Sequence, residues 1–381
     1  MKILPYVKKM NTRLTNMLLI YSVMLLLGGN YLLYSFFELG AARNLIRAAA
    51  AGLMLVLLVF RLLEGRIRRR QVLMLLLAGW QILSGGTNGL NIAFLLILTV
   101  VVAGYREIRF TEVVLWTMAA LTAVVLLSLL LGIEQDLVYR VGNRIRHKLG
   151  FVNVNSASMF FFTGLTVYLL FRDRKVSLAD MTAVTVIEVI LFLFTDSRTP
   201  LLGMLLMVGL CLLLPKISRE VCLRCCRIGI TLLFLSSFLW SLPLVNSDLF
   251  NKILSLRPQY FSEYITGQSL WTFLLGGSRQ SEIDNGFLLL LFNTGIVVYG
   301  AVFLAVQSAA AHLIRKGSSV KLAYLLTMLC CSVLEGSAVR PELLCAPVLW
   351  VLVLEAQPKE GPESLLLTKG KAWIAPYLDK D

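Results

Sequence analysis

The sequence predicts an all-α membrane protein that crosses the bilayer many times. Of its 381 residues, 58% are hydrophobic and only 15% are charged, and the mean hydropathy is +0.79. A soluble domain carries about a quarter of its residues as Asp, Glu, Lys and Arg. Apolar runs of about 18 to 23 residues recur along the chain, which is the length that a helix needs to cross the hydrocarbon core.

Twelve apolar runs, of which the third and the twelfth are short, predict about twelve transmembrane helices in a single domain, residues 1–356, followed by a cytoplasmic tail at 357–381. The first run is long and further spans follow it, so it is predicted to be a span and not a cleavable signal. The predicted spans are 17–39, 46–63, 71–85, 87–104, 111–133, 154–171, 179–195, 199–215, 227–245, 285–306, 319–335 and 343–356.

Short basic segments predict that both termini are cytoplasmic. Lys and Arg cluster in alternate connections, and connections rich in these residues stay on the cytoplasmic side. The net charge of +14 is explained by this orientation and by contact with anionic headgroups, so it gives no reason to expect nucleic acid as a partner. The basic segments are 1–13, 64–71, 105–109, 172–175, 215–227 and 312–321.

The segment RVGNRIRHKLGFVN, residues 140–153, falls on the predicted external side and runs against this charge bias. Arg140, Arg144, His147 and Lys148 stand at i, i+4, i+7 and i+8, which would place them on one face of a helix. A row of guanidinium groups suits phosphate or pyrophosphate, because arginine binds both with paired hydrogen bonds. A solvated loop that touches anionic headgroups is the alternative interpretation.

The longest polar segment, residues 246–284, predicts an external loop of short helices that packs on the membrane surface. Its LFNKILSL stretch is amphipathic at helical spacing, and aromatic residues are frequent after it. The end of the loop, LLGGSRQSEIDNG, places glycines beside Arg279, Glu282 and Asp284. Glycines allow close backbone approach, a carboxylate can act as a base and an arginine can bind an anion. Ordinary turn formation would explain the same residues.

The remaining predicted external connections also contain arginines. Arg198 lies in TDSRT, where pairing with Asp196 is the simpler interpretation, and Arg257 lies in the long loop. Arg340 lies in LEGSAVRPE together with Glu335. Because each sizeable external segment contains an arginine, the set indicates an anionic ligand at the outer face more strongly than any single segment does.

Three stretches resemble motifs of a known family. They are GFVNVNSAS at 150–158 after a basic loop, SRT at 197–199 before a span rich in small residues, and LLGGSRQSEIDNGFLLLLFNTGIVVYG at 274–300. In the third stretch a glycine-rich turn ends a long external loop and precedes Asp-Asn, an apolar run and Asn-x-Gly-Ile. The chain thereby resembles the O-antigen polymerase and ligase superfamily, which includes the Wzy-type polymerases of bacterial surface polysaccharides.

The resemblance implies a GT-C-like glycosyltransferase of the bacterial cytoplasmic membrane that uses neither a metal nor another cofactor. It would transfer glycan from undecaprenyl pyrophosphate to another lipid-linked repeat unit at the outer face, during synthesis of O-antigen, capsule or exopolysaccharide. The implied partners are the undecaprenyl-pyrophosphate-linked oligosaccharide, membrane lipid, and the chain-length regulator and flippase of the same pathway.

The resemblance also implies roles for individual residues. Cations would hold the pyrophosphate leaving group, and Asp284 or Glu282, with Arg279 beside them, would form the catalytic group that acts on the acceptor hydroxyl. Asn153 and Asn155 would hydrogen-bond sugar or phosphate. The predicted substrate-binding residues are Arg140, Arg144, His147, Lys148, Asn153, Asn155, Arg198, Arg257 and Arg340.

One departure from the family bears on the choice between its branches. The ligase branch is expected to place a histidine in the large external loop, whereas the only histidines here are His147 and His312. This favours a polymerase over a ligase and keeps His147 as an alternative base. A flippase or permease is the competing class, and it would show two similar halves with charges near the bilayer midplane. Neither pattern is evident, and an outer-surface sensor or acyltransferase completes the alternatives.

Overall fold

The structure is a computed structural model that describes residues 3–63, 67–103, 109–141, 144–240, 242, 247–254, 256–280 and 283–357. Within these residues, eight helices are long and apolar enough to cross a membrane, and three further apolar helices are shorter. The predicted class is therefore confirmed: the chain is a mainly helical, multi-pass membrane protein. The predicted tail at 357–381 lies outside the described residues, apart from its first residue.

In chain order the helices are α1 (Ile3–Ser35), α2 (Gly40–Leu63), α3 (Arg69–Ser84), α4 (Thr87–Val102), α5 (Phe110–Leu130), α6 (Val154–Arg172), α7 (Leu178–Thr195), α8 (Arg198–Leu213), α9 (Arg219–Leu239), α10 (Asp248–Ile253), α11 (Arg257–Thr266), α12 (Leu270–Leu275), α13 (Gly286–Thr294), α14 (Ile296–Lys316), α15 (Ser319–Ser332) and α16 (Cys345–Glu355). The long apolar helices are α1, α2, α5, α6, α7, α8, α9 and α14. The predicted spans at 87–104, 319–335 and 343–356 correspond to the three shorter apolar helices α4, α15 and α16, and the predicted span at 71–85 corresponds to α3, which has 16 residues. Twelve crossings and a GT-C-like fold stay predictions.

Side-chain caps determine where several helices begin. The Ser177 hydroxyl accepts from the Asp180 amide, and the Asp180 carboxylate accepts from the Ser177 amide, which is the capping box that starts α7. Ser218 caps α9, so this helix starts eight residues before the predicted span at 227–245. The basic residues at the end of the predicted loop therefore lie on the first turns of α9.

The cationic segment after α5 is a β-hairpin, so the predicted helix with a common cationic face over Arg140, Arg144, His147 and Lys148 was wrong. Strand β1 (Val138–Val141) pairs antiparallel with β2 (Arg144–His147). Successive side chains of a strand point to opposite faces, so spacing by four and seven no longer collects the cations. Val138, Val141 and Ile145 are β-branched residues, which favour a strand over a helix at this point.

The predicted external connections meet at one end of the helix bundle, which we call the site end. The amide of Val152, just before α6, donates to the Ser35 carbonyl at the end of α1 over 2.7 Å. Arg146 of the hairpin donates to the Thr195 carbonyl at the end of α7 over 2.9 Å. The loop of short helices, α10 to α12, leads into α13 at the same end, as the sequence predicted.

The opposite end of the bundle holds the predicted cytoplasmic connections that the structure describes. Arg172 lies 3.3 Å from Asp180 across the α6–α7 connection, and Lys321 lies 3.7 Å from Asp173. The helix order thus separates the two sets of connections. The side of the membrane that each end faces stays a prediction.

A glycine breaks the predicted tenth span, 285–306, into α13 and α14. Gly295 has φ +81° and ψ 162°, a backbone region that favours glycine. The preceding α13 is buried along its whole length and packs beneath the end of α12. The Gln81 side chain of α3 donates to the Asn293 carbonyl over 2.8 Å, which ties α13 to the α3–α4 pair.

Candidate functional site

Two buried carboxylates lie in the connection between α15 and α16, residues 333–344, which we call the buried connection. Glu335 is 7% exposed and Glu342 is 8% exposed. The start of α13 holds the connection in place: the Gly286 amide donates to the Glu335 carbonyl over 3.2 Å, and the Asn285 side chain donates to the Val333 carbonyl over 2.8 Å. The connection, which contains a 3-10 helix at Gly336–Val339, is therefore held inside the site end.

Glu335 is paired with Arg257, the first residue of α11. Arg257 Nη2 lies 2.9 Å from Glu335 Oε1, and the Thr199 side chain at the start of α8 also hydrogen-bonds the carboxylate. Burial raises the pKa of Glu335 to about 7, while Arg257 acts in the opposite direction. A carboxyl group with a pKa near neutrality is suited to general base catalysis, because it is a carboxylate at neutral pH that still has a useful affinity for a proton.

A second ion pair lies beside the first. Arg340 of the buried connection lies 3.6 Å from Asp284, and Asp284 is 48% exposed in its side chain. Asp284 raises the pKa of Glu335 by charge repulsion, and Arg340 lowers it. Four charged groups from three separate segments therefore act on one another at this point.

A third set of ion pairs joins the buried connection to α2. Glu342 Oε1 accepts from Arg47 over 3.1 Å and from Arg43 over 3.4 Å, and Arg47 also donates to the Asn91 side chain on α4 over 3.3 Å. The Arg43 guanidinium stacks over the Tyr34 ring at 4.3 Å. Both arginines stand in the first two turns of α2, at i and i+4, so they share one helix face.

A cleft opens next to the Glu335 pair. Its volume is about 420 Å³, and Arg257 and Asp284 belong both to its lining and to the ion pairs. It is open enough and polar enough to admit a hydrophilic group. Its lining consists of Arg257, Tyr260, Phe261, Glu263, Tyr264, Gln280, Ile283 and Asp284.

The structure brings together only some of the residues that the sequence selected. Arg257, Asp284 and Arg340 are in the cluster around Glu335. Arg198 and Arg279 lie at the same end with exposed side chains. Glu282 lies outside the described residues.

The predicted residues of the hairpin have other partners. Arg140 is exposed on β1, and His147 Nδ1 contacts the Asp136 carboxylate. Lys148 is half-buried, and its amide donates to the Leu137 carbonyl. For Arg144 the structure describes only the backbone, as part of β2.

The two predicted asparagines have structural partners. The Asn153 side chain caps α6 by accepting from the Asn155 amide over 2.9 Å. The Asn155 side chain accepts from Arg146 over 3.2 Å and from the Ser197 hydroxyl over 3.3 Å. Arg146, which the helical interpretation placed away from the cationic face, hydrogen-bonds to the helix bundle.

Sequence patterns missed the arginines of α2 and gave Glu335 no role. Arg43 and Arg47 lie at the start of an apolar run. Cations are common there, close to the membrane interface, so they do not by themselves indicate a functional site. The available signal was Arg47, which lies inside the predicted span 46–63 with Arg43 four residues before it, because a charge within a span marks a functional site by default. Glu342 had no local signal, since its importance depends on contacts with residues about 300 positions away.

Within the residues that the structure describes, no three side chains of His, Cys, Asp and Glu converge to hold a metal ion. No protein-family model matches the chain, and no curated protein and no solved structure matches it either.

Proposed function

We propose that this protein is a membrane glycosyltransferase that polymerises a bacterial surface polysaccharide. The observation that carries the proposal is the cluster at the site end, in which Glu335 lies between Arg257 and Arg340 beside a polar cleft. Glycan transfer from a lipid pyrophosphate needs a base and a set of cations, and this cluster supplies both.

The donor would be a glycan on undecaprenyl pyrophosphate and the acceptor a hydroxyl of another lipid-linked repeat unit. The acceptor oxygen forms a bond to the anomeric carbon, and the bond from that carbon to the pyrophosphate oxygen breaks. Glu335 receives the hydroxyl proton, and the arginines of the cluster stabilise the negative charge that the pyrophosphate gains. The residues act at the outer face of the cytoplasmic membrane, where the sequence predicts the site end to lie.

Gene deletion and size separation of surface glycans test the proposal. A polymerase deletion leaves single repeat units on the carrier, and the wild-type gene restores the polymer. Full-length polymer that stays on its lipid would instead identify a ligase, and units that accumulate on the inner face would identify a flippase. Unchanged glycans would contradict all three.

Complementation with point variants then tests the site. Glu335→Gln is expected to restore less than about 1% of wild-type polymer, because loss of a general base costs roughly 100-fold or more in rate. Lys252→Gln, an exposed cation on α10, is the matched control and is expected to restore the full amount.

A further inference from the structure

We infer that Arg43 and Arg47 form a second phosphate-binding subsite for a lipid, and that Glu342 occupies these arginines when no lipid phosphate is bound. The subsite lies on α2 and α4, whereas Arg257 and Glu335 lie on α11 and in the buried connection. The inference does not depend on the proposed function, because it concerns binding alone.

The charges at this point favour an anion. Two guanidinium groups share one carboxylate: Glu342 Oε1 lies 3.1 Å from Arg47 and 3.4 Å from Arg43. The pairs are mostly buried, with 20% and 19% of the arginine side chains exposed and 8% of Glu342. One excess positive charge in a partly desolvated place attracts an anion more strongly than an exposed cation does.

Some hydrogen-bonding atoms at the subsite have no partner among the described residues. Among the described residues, Arg43 Nε and Glu342 Oε2 are buried atoms without a hydrogen-bond partner. The contact of Arg43 with Glu342, at 3.4 Å, is also long for a charge-assisted hydrogen bond. A phosphate presents several acceptor oxygens to a guanidinium fork, so it would use the Nε edge that the single carboxylate oxygen leaves unsatisfied.

The surroundings of the arginines indicate that the phosphate belongs to a lipid. Arg43 and Arg47 stand in the first two turns of a long apolar helix, where arginine reaches the headgroup level. Leu39, just before the helix, is 54% exposed, and Leu45, on the face of α2 opposite the two arginines, is 75% exposed. Exposed apolar side chains around this end of α2 fit a ligand with a phosphate head and a hydrocarbon tail.

Photolabelling tests the subsite directly. The full-length protein in phosphatidylcholine nanodiscs is labelled with a photoactivatable prenyl pyrophosphate, and labelled peptides of α2 are quantified by mass spectrometry. Arg43→Gln and Arg47→Gln are each expected to weaken α2 labelling about tenfold, since a hydrogen bond to a charged group contributes about that factor. Lys252→Gln is the matched control and is expected to label like the wild type.

Glu342→Gln tests the role of the carboxylate. If Glu342 competes with the lipid phosphate, its neutral replacement is expected to raise the affinity of α2 for the probe about tenfold. A fall in labelling would show that Glu342 only positions the arginines and would overturn its competing role. Size-exclusion chromatography identifies variants that do not fold, and Arg43→Gln keeps the shorter Arg47–Glu342 pair.

Adding phosphatidylglycerol to the nanodiscs distinguishes the two sources of lipid phosphate. Competition with the probe would identify a membrane headgroup as the ligand, and labelling that does not change would identify a prenyl pyrophosphate. Equal α2 labelling in the wild type, Arg43→Gln and Arg47→Gln would overturn the subsite. Arg257→Gln separates this result from the proposed function, because it is expected to slow transfer and to leave α2 labelling intact.

Discussion

At Glu335, burial and a neighbouring guanidinium act on the same carboxyl group in opposite directions. Burial raises its pKa from an ordinary value of 4.5 to about 7, and Arg257, at 2.9 Å, lowers it. Desolvation is the larger effect because the carboxyl group lies inside the protein, where the charged form is costly. The result is a group that titrates near neutrality, which its position in the sequence does not suggest.

We expect the transfer rate to rise with pH through about 7. The base must be a carboxylate, and below its pKa of about 7 the group is protonated and inactive. The measurement is the rate of glycan transfer by the purified protein between pH 5 and pH 9, compared with Glu335→Gln, which is expected to lose this dependence. A wild-type rate that stays flat across this range would argue against Glu335 as the base.

Substitutions of two charged neighbours of Glu335 are expected to move the midpoint of the pH profile in opposite directions. Arg257→Gln is expected to move the midpoint of the pH profile upward, because the guanidinium lowers the pKa of Glu335. Asp284→Asn is expected to move it downward, because the Asp284 charge raises that pKa. Shifts in the same direction would show that another group controls the profile.

At the scale of elements, the β-hairpin shows how a helical charge pattern can mislead. Arg146 donates to the Thr195 carbonyl, the Asp196 carbonyl and the Asn155 side chain, and so joins the hairpin to α7 and α6. Arg140 on the facing strand is exposed. The described contacts of Arg146 are therefore structural, because they hold the hairpin against the helix bundle.

We expect Arg146→Ala to release the hairpin and Arg140→Ala to leave it in place. Removing Arg146 takes away three hydrogen bonds to the bundle, while Arg140 has an exposed side chain. The measurement is hydrogen exchange of the β1 and β2 amides. Limited proteolysis after residue 140 or 146 is unsuitable, because each substitution removes the arginine at the cleavage site. Faster exchange is expected in Arg146→Ala alone, and equal exchange in both variants would contradict the role of Arg146.

The break between α13 and α14 depends on a backbone conformation that only glycine adopts easily. A Cβ at Gly295 would lie 2.5 Å from the Leu274 carbonyl oxygen, which belongs to the backbone of α12 and has little freedom to move. A Cβ added at Gly209 on α8 would point into open space. The two glycines therefore form a matched pair.

We expect Gly295→Ala to destabilise the protein by about 2–4 kcal/mol, from backbone strain and the clash together. Gly209→Ala is expected to be neutral or slightly stabilising, because alanine favours the helix. Thermal unfolding in detergent measures both variants. A similar melting temperature for Gly295→Ala and the wild type would contradict the tight α12–α13 contact.

At the scale of the whole molecule, the connections of the bundle divide between its two ends. The site end holds the hairpin, the ion pairs and the buried connection, and the opposite end holds Arg172, Asp180 and Lys321. The predicted orientation places the site end outside.

We expect Arg140→Cys to react with a membrane-impermeant thiol reagent in intact cells and Arg174→Cys to react only after permeabilisation. Both positions are exposed, and they lie at opposite ends of the bundle. Cys225→Ser is the background for both, because Cys225 is an exposed native cysteine. The reverse pattern of labelling would invert the topology and move the proposed site to the cytoplasmic side.

The class of protein, and the end of the bundle at which each set of connections meets, follow from the sequence. Hydropathy averaged over about 20 residues and the alternation of basic loops are local properties, and they predicted the long helices and the common end of 134–153, 195–199, 246–284 and 334–342. Contacts of Arg146 with Thr195 and of Arg257 with Glu335 confirm that these segments meet.

The groups that share a site are brought together by the packing of the folded chain. Glu342 meets Arg43 and Arg47 about 300 positions away, and Glu335 becomes a near-neutral acid because packing buries it. In the hairpin the strand pairing determines the direction of each side chain, and the helical spacing of the charges does not. Burial and long-range pairing depend on the packed arrangement of the whole chain, so no local pattern specifies them.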